Sequence, residues 1–304
     1  MTPVDPLWPR ADVWLASEAA DPEVVVVGVP SSTASLTTSR ADLAPLVVRD
    51  RLGRFSTFHG EMGVDFGTVR VRDFGNWPVT HLEDGEMMDE VARLATNLPG
   101  AGLRIYLGGD NAITRPLVGA ASGDLSRVGL VTFDAHHDVR SLEGGPNNGN
   151  PIRGLIEEDG LPGGNVAQIG IHSFSNSAPY RAYCEEAGIS VVTVADVERD
   201  GMQTVVEAAL GRLEQTCETI YVDVDVDVLD AVYAPACPGS RPGGMTVRQL
   251  AEGVARCARH PLVSAFDLVE VDPTQDHGHR TVDTTAHLLL TAMAGFAARS
   301  LSPR

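Results

Sequence analysis

Two apolar runs in this chain, 128–133 and 219–224, lead directly into acids spaced two residues apart. Asp134, His136 and Asp138 follow the first, and Asp223, Asp225, Asp227 and Asp230 run through and beyond the end of the second. Alternate residues of a strand project to one side, so each spacing gathers its polar groups where a buried strand opens into a loop. A lone acid at a strand end is ordinarily a solvated or capping residue. So many acids at the ends of buried strands repel one another at low dielectric unless a cation lies among them. Carboxylate oxygen mixed with imidazole nitrogen suits Mn²⁺, Fe²⁺ or Zn²⁺ better than Ca²⁺, which takes oxygen alone.

The rest of the chain supplies the frame such strands need. Strand-like runs at 23–29, 68–74, 103–107, 166–171, 190–194 and 262–268 alternate with helical spacing at 41–52, 86–98, 178–187, 202–215, 247–258 and 284–298. That alternation predicts one α/β domain over 1–304, a three-layer α/β/α sandwich with a mostly parallel central sheet and its site beyond the carboxyl ends of the strands. Residues 1–22 lack sustained periodicity and are expected to form an arm packed on the domain or on a neighbouring subunit. Two glycine-rich loops, 142–151 and 234–244, each follow one of the acid clusters and are expected to carry specificity.

Charge and cysteine usage narrow the setting. With 23 basic against 41 acidic residues the formal charge is −18, which argues against a nucleic-acid or anionic-membrane partner. Cys184, Cys217, Cys237 and Cys257 show no Cys-x-x-Cys spacing, so neither a zinc ribbon nor a disulfide framework is expected. No run approaches the roughly 20 apolar residues of a membrane helix, and the chain reads as cytoplasmic.

Four stretches together resemble the successive signatures of the arginase, or ureohydrolase, superfamily. They are Gly-Gly-Asp-Asn at 108–111, Asp-Ala-His-His-Asp at 134–138, Asp-Val-Asp-Val-Leu-Asp at 225–230 and Phe-Asp-Leu-Val-Glu-Val-Asp-Pro at 266–273. Order and spacing agree over roughly residues 24–297. The resemblance implies an arginase-like fold, a homo-oligomer (trimer or hexamer) and two Mn²⁺ per subunit. Asp134 and Asp225 would bridge the ions, Asp138 and Asn111 would complete one, and His136 and Asp227 the other. Asn111 stands where arginases carry a histidine, so its ion should be held less tightly. Asn148 stands near the arginase position of a proton-shuttling histidine. Asp223 falls outside the aligned pair, Asp230 matches a structural acid, and His137 points away from the ligand face.

The segments around these signatures are similar to the formimidoylglutamase branch: Gly-Gly-Pro-Asn-Asn-Gly at 144–149, 168–177, Ala-Pro-Ala-Cys-Pro at 234–238 and Glu-Val-Asp-Pro-Thr at 270–274. That branch implies hydrolysis of N-formimino-L-glutamate to L-glutamate and formamide, a step of histidine degradation, by attack of a metal-bridging hydroxide on the formimino carbon. Asp138 would accept the proton and pass it to the leaving amine, and Glu270 would pair with the cationic nitrogen. Arg140, Arg153, Asn147, Asn148, Ser175, Asn176 and Ser177 are the candidates for the substrate carboxylates. His172 replaces an arginine expected in the branch. Two other readings stand beside this one: a guanidino-compound hydrolase releasing urea, and a catalytically silent metal-binding relative, suggested by Asn111 and Asn148.

Overall fold

The computed structural model describes residue 5 and residues 7–301. Its centre is an eight-stranded sheet. In chain order the strands are β1 (Val24–Val29), β2 (Phe58–His59), β3 (Val64–Asp65), β4 (Val71–Asn76), β5 (Leu103–Gly108), β6 (Val128–Phe133), β7 (Val166–Ile171), β8 (Ser190–Thr193), β9 (Thr219–Asp225) and β10 (Val263–Val269), with β2 and β3 forming a separate pair. The spatial order is β4-β1-β5-β10-β9-β6-β7-β8. Every pairing in this sheet is parallel, in line with the expected mostly parallel central sheet. Antiparallel pairing lies outside it, between β2 and β3 and in an isolated bridge of Arg10 with Ser56.

The sequence makes such a sheet because its strands read as continuous Val, Ile and Leu runs, as parallel strands covered on both faces do. β1, β6 and β7 are buried at every residue. Alternate side chains feed two cores. Val24, Val26, Ile105, Phe133 and Val222 pack with helices on one face, and Val25, Val27, Tyr106, Leu130 and Tyr221 with helices on the other. The first layer holds α1 (Ala11–Leu15), α2 (Ala44–Arg51), α7 (Val194–Asp200), α8 (Met202–Leu213), α9 (Val247–Arg259) and α10 (Arg280–Ala297). The second holds α3 (Asp84–Thr96), α4 (Thr114–Gly119), α5 (Pro151–Glu157) and α6 (Ala178–Ala187). No helix among the described residues is long and apolar enough to cross a membrane.

Local signals set the helix ends. Ser177 caps α6 and Gly188, at φ 79°, ends it in the left-handed region. Capping boxes start α7 (Thr193 with Asp196) and α9 (Thr246 with Gln249). Of the expected N-terminal arm, residues 1–4 and 6 lie outside the described residues. The remainder carries α1, whose Trp14 is buried edge-on against Phe66 and donates from Nε1 to the Val69 carbonyl at 3.0 Å.

The departure of sheet order from chain order that matters for the site lies between β5 and β6. β5 and β6 follow each other along the chain, yet β10 and β9 lie between them. The carboxyl ends of β5, β10, β9 and β6 therefore stand side by side at a switch in strand order, where open parallel sheets form their crevice. All four signature stretches fall at these ends.

Candidate metal centre

At the end of β6, Asp134 Oδ1 accepts from the His136 amide at 2.6 Å. At the end of β9, Asp225 Oδ1 accepts from the Asp227 amide at 2.8 Å. The two turns are tied together by the Ala135 amide, which donates to Asp227 Oδ1 at 3.2 Å. His136 Nδ1 then lies 2.9 Å from Asp227 Oδ2 and 3.5 Å from Asp134 Oδ1. One ligand atom from each of Asp134, His136 and Asp227 falls within a 4.8 Å group. Asp138 and Asp225 line the same cavity.

Asn111 enters from β5. Its Nδ2 donates to Asp138 Oδ2, and its Oδ1 lies 2.7 Å from Thr114 Oγ1, which is also 2.8 Å from Asp267 Oδ2. Thr114 has one hydroxyl proton for two oxygens. Half a turn of the Asn111 amide lets Nδ2 donate to Thr114 while Thr114 donates to Asp267, and it aims Oδ1 at Asp138. Two oxygens then face each other, which a cation between them favours. The site accordingly fits a divalent first-row ion: four buried carboxylates, one imidazole, one amide able to present oxygen, and no arginine bonded to any of them among the described residues.

The electrostatics agree. Burial raises the Asp134, Asp138 and Asp225 carboxyls above the usual range, and repulsion from their acid neighbours raises them further. Burial alone would lower the His136 imidazole, but Asp227 and Asp134 outweigh it and push it up to about 12. Burial likewise opposes ionisation of Asp227, yet the charge on His136 holds its carboxyl below the usual value. In the metal-free site a proton on His136 thus supplies positive charge among the acids.

Glu270, at φ 68°, follows β10 and is buried. Its Oε1 accepts from the Asn111 amide at 2.8 Å and from Asn148 Nδ2 at 2.9 Å. Burial, then Asp110, raises its carboxyl to about 8. Asn148 Oδ1 in turn accepts from the Leu36 amide at 3.0 Å, so both ends of this side chain are engaged.

The cavity above these acids is walled by Arg140, Asn148, Ser175, Asn176 and two residues not anticipated from sequence, Tyr180 and Arg241. Ser175 Oγ is buried without a hydrogen-bond partner, which leaves it free for a ligand. Asn176 braces the ligand turn, accepting from the His137 amide and donating to the Ala135 carbonyl, both at 2.9 Å. Three candidates do not reach the cavity. Arg153 pairs with Glu157 at 2.9 Å and lies over the Tyr183 ring, Asn147 Oδ1 accepts from the Gly149 amide at 3.0 Å, and Ser177 caps α6. His137 is buried against Gln168, His172 is buried with Nε2 2.9 Å from the Val228 carbonyl, and Asp230 accepts from the Val232 and Gly243 amides. A larger groove, about 910 Å³ against about 140 Å³, lies between β2, α9 and α10. Its charges pair among themselves, as in Arg248 with Glu61 and Arg256 with Glu252, so it presents no convergent chemistry.

Comparison with known proteins agrees with this geometry. The profile described as "Arginase family" matches residues 22–295. The formimidoylglutamase of Halalkalibacterium halodurans is 38% identical over 91% of this chain and 88% of its own length, and that of Bacillus subtilis is 34% identical over 91% and 88%. The crystal structure of the Bacillus subtilis formimidoylglutamase superposes with a TM-score of 0.92 at 30% identity, over 100% of this chain and 96% of its own.

Proposed function

This chain belongs to the arginase family, and we propose that it hydrolyses N-formimino-L-glutamate to L-glutamate and formamide. The observation that carries the reading is the buried Glu270 carboxyl, held by Asn111 and Asn148 in a cavity lined also by His136, Asp138, Asp225 and Asp227, with Asp134 grouped beside His136 and Asp227. A buried carboxyl beside a metal-type donor set matches an amidine: a cationic nitrogen draws Glu270 into its ionised form and pairs with it, while the electrophilic carbon faces the donors. The identities to the formimidoylglutamases support the formimino group over a guanidino group.

Two Mn²⁺ are the proposed cofactor: Asp134 and Asp225 would serve both, Asp138 with Asn111 one, and His136 with Asp227 the other. When bound, they supply an acidified water and positive charge opposite the charge that develops on the substrate. The chain's own groups do the rest. Asp138 takes up a proton in the cavity and returns it to the departing amine. Glu270 holds the formimino nitrogens, and Asn148 fixes the Glu270 carboxylate through Oε1. Arg140 and Ser175 face the carboxylate end of the substrate nearest the formimino group. The protein is further proposed to act as a single-domain homo-oligomer, trimer or hexamer, in the cytoplasm, and light scattering showing a monomer at working concentration would contradict the assembly.

The test is a rate panel on Mn²⁺-loaded protein with N-formimino-L-glutamate, arginine, agmatine and guanidino acids. Formamide release from the first at a kcat/KM at least about 100-fold above any urea release is expected, a margin of roughly 2.7 kcal/mol. Urea as the main product would replace this reading with a guanidino hydrolase, and no product from any substrate with a silent metal-binding relative.

A further inference from the structure

We propose that Arg241 is the specificity-determining residue that receives the substrate's side-chain carboxylate, an inference that rests on the formimino-diacid reading above. Each of the two glycine-rich segments around the cavity contributes one guanidinium to its wall: Arg140 beside the 142–151 loop, and Arg241 from the 234–244 loop. Neither has a carboxylate partner among the described residues. Elsewhere on this acidic protein arginines commonly do, as in Arg49 with Asp73, Arg51 with Asp283 and Arg115 with Asp159. Arg241 Nη1 donates to the carbonyls of Pro238, Gly239 and Ser240 at 3.3, 3.1 and 2.9 Å, which curls the side chain over its own loop. Nε and Nη2 have no acceptor among the described residues, and they form one edge of the planar group.

The loop is fastened to the metal centre. A Cβ on Gly239 would fall 1.9 Å from Asp227 Oδ2, so only glycine lets the backbone approach this closely. The Arg241 carbonyl accepts from the Ala231 amide at 3.2 Å, and the Gly243 amide donates to Asp230 Oδ2 at 2.7 Å. Arg241 is therefore carried at a fixed place on the wall rather than on a free loop.

Charge and position sort the two ends of a formimino diacid. Its first carboxylate sits on the carbon that bears the formimino nitrogen and must lie near Glu270. Arg140 runs along Gly149, whose added Cβ would be 2.5 Å from Arg140 Cδ, and Gly149 adjoins the Asn148 that bonds Glu270. Arg140 belongs to that end. The second carboxylate lies several bonds farther out and needs a cation on another wall. Arg241 is the guanidinium that lines the cavity from the other loop, and its open edge suits bidentate contact with a carboxylate.

The experiment compares wild type with Arg241→Gln and Arg241→Lys on N-formimino-L-glutamate and on N-formimino-L-glutamine, which replaces the distal carboxylate by a neutral amide. Metal content and melting temperature are measured alongside. Arg241→Gln is expected to raise KM for the diacid by at least about 10-fold, with the effect on KM rather than kcat and no matching change for the amide. Arg241→Lys should recover part of the loss. An unchanged KM for the diacid, or an equal rise for both substrates, would overturn the role of Arg241 while leaving the reaction standing. Wild-type protein that releases no formamide from the diacid removes the formimino reading, and the proposal with it.

Discussion

Asp223 and Asp267 stand side by side in the register of β9 and β10, both buried, and their surroundings differ sharply. Asp267 accepts from Thr114 Oγ1, Tyr221 OH and the Val224 amide, whereas neither oxygen of Asp223 has a hydrogen-bond partner. Burial, then Asp267 and Asp134, raises the Asp223 carboxyl well above the usual range, so the folded protein holds a proton there that the unfolded chain releases. Asp223→Asn removes that cost and sets a permanent N–H beside Asp267. The expected result is a metal-free protein more stable by about 1–3 kcal/mol. Thermal denaturation of both proteins after chelation checks this, and a lower melting temperature for the variant would show that Asp223 has a stabilising role.

The same acids give metal-free protein a definite response to pH. Glu270 is raised from 4.5 to about 8, Asp110 and Asp267 from 3.8 to about 6, so the folded state holds protons that the unfolded chain has released. His136, raised from 6.5 to about 12, stabilises fully below 6.5 and loses that contribution as pH rises towards its folded value. Both effects have one sign: stability falls as pH rises from about 5.5 to 8.5. Metal competes with these protons, so the gain in melting temperature on adding Mn²⁺ should grow over the same interval. A metal-free melting temperature that is flat or rising across it would contradict the account.

Asn111 is the weak donor of the proposed set. Asn111→His offers an imidazole in place of an amide oxygen and should tighten the ion it shares with Asp138. Mn²⁺ titration followed by metal analysis should show higher affinity for the variant. Equal affinities would mean that position 111 is not a ligand.

Glu270→Gln keeps the size of the side chain and removes its charge. Because Glu270 is assigned to the substrate cation, Mn²⁺ content should stay as in wild type while kcat/KM falls by about 100-fold or more. Loss of metal in the variant would move Glu270 into the ligand set.

Much of the frame was legible because apolar runs bounded by polar turns leave little freedom. The strands at 128–133, 166–171 and 219–225 and the helix at 178–187 lie at the expected residues. Four helices lie outside the expected spans: the short α1 and α4, and α5 and α7. α5 begins at Pro151 inside a stretch rich in glycine and asparagine, and α7 follows β8 with no intervening loop, its start marked by the Thr193–Asp196 capping box. α10 begins at Arg280, ahead of the expected 284, because its first turn is largely polar. In the site, alternate spacing singled out Asp134, His136, Asp225 and Asp227. Only Asp225 lies within a strand, and the turns after β6 and β9, held by the His136, Asp227 and Ala135 amides, bring the others together. Arg153 shows the limit of residue type as a guide: once 151–157 is helical, its guanidinium meets Glu157 one turn along. Arg241 and Thr114 carry no local signal. The approach of Gly239 to Asp227 places one, and the packing of α4 against β10 the other.

The most direct test of metal-dependent formimino hydrolysis strips the protein with chelator, adds N-formimino-L-glutamate, and follows products by NMR before and after Mn²⁺ is restored. The account predicts no turnover without metal, then L-glutamate and formamide in equal amounts, with turnover lost again in Asp225→Asn. Formamide release at the full rate from metal-free protein, or no formamide after Mn²⁺ is restored, would contradict it.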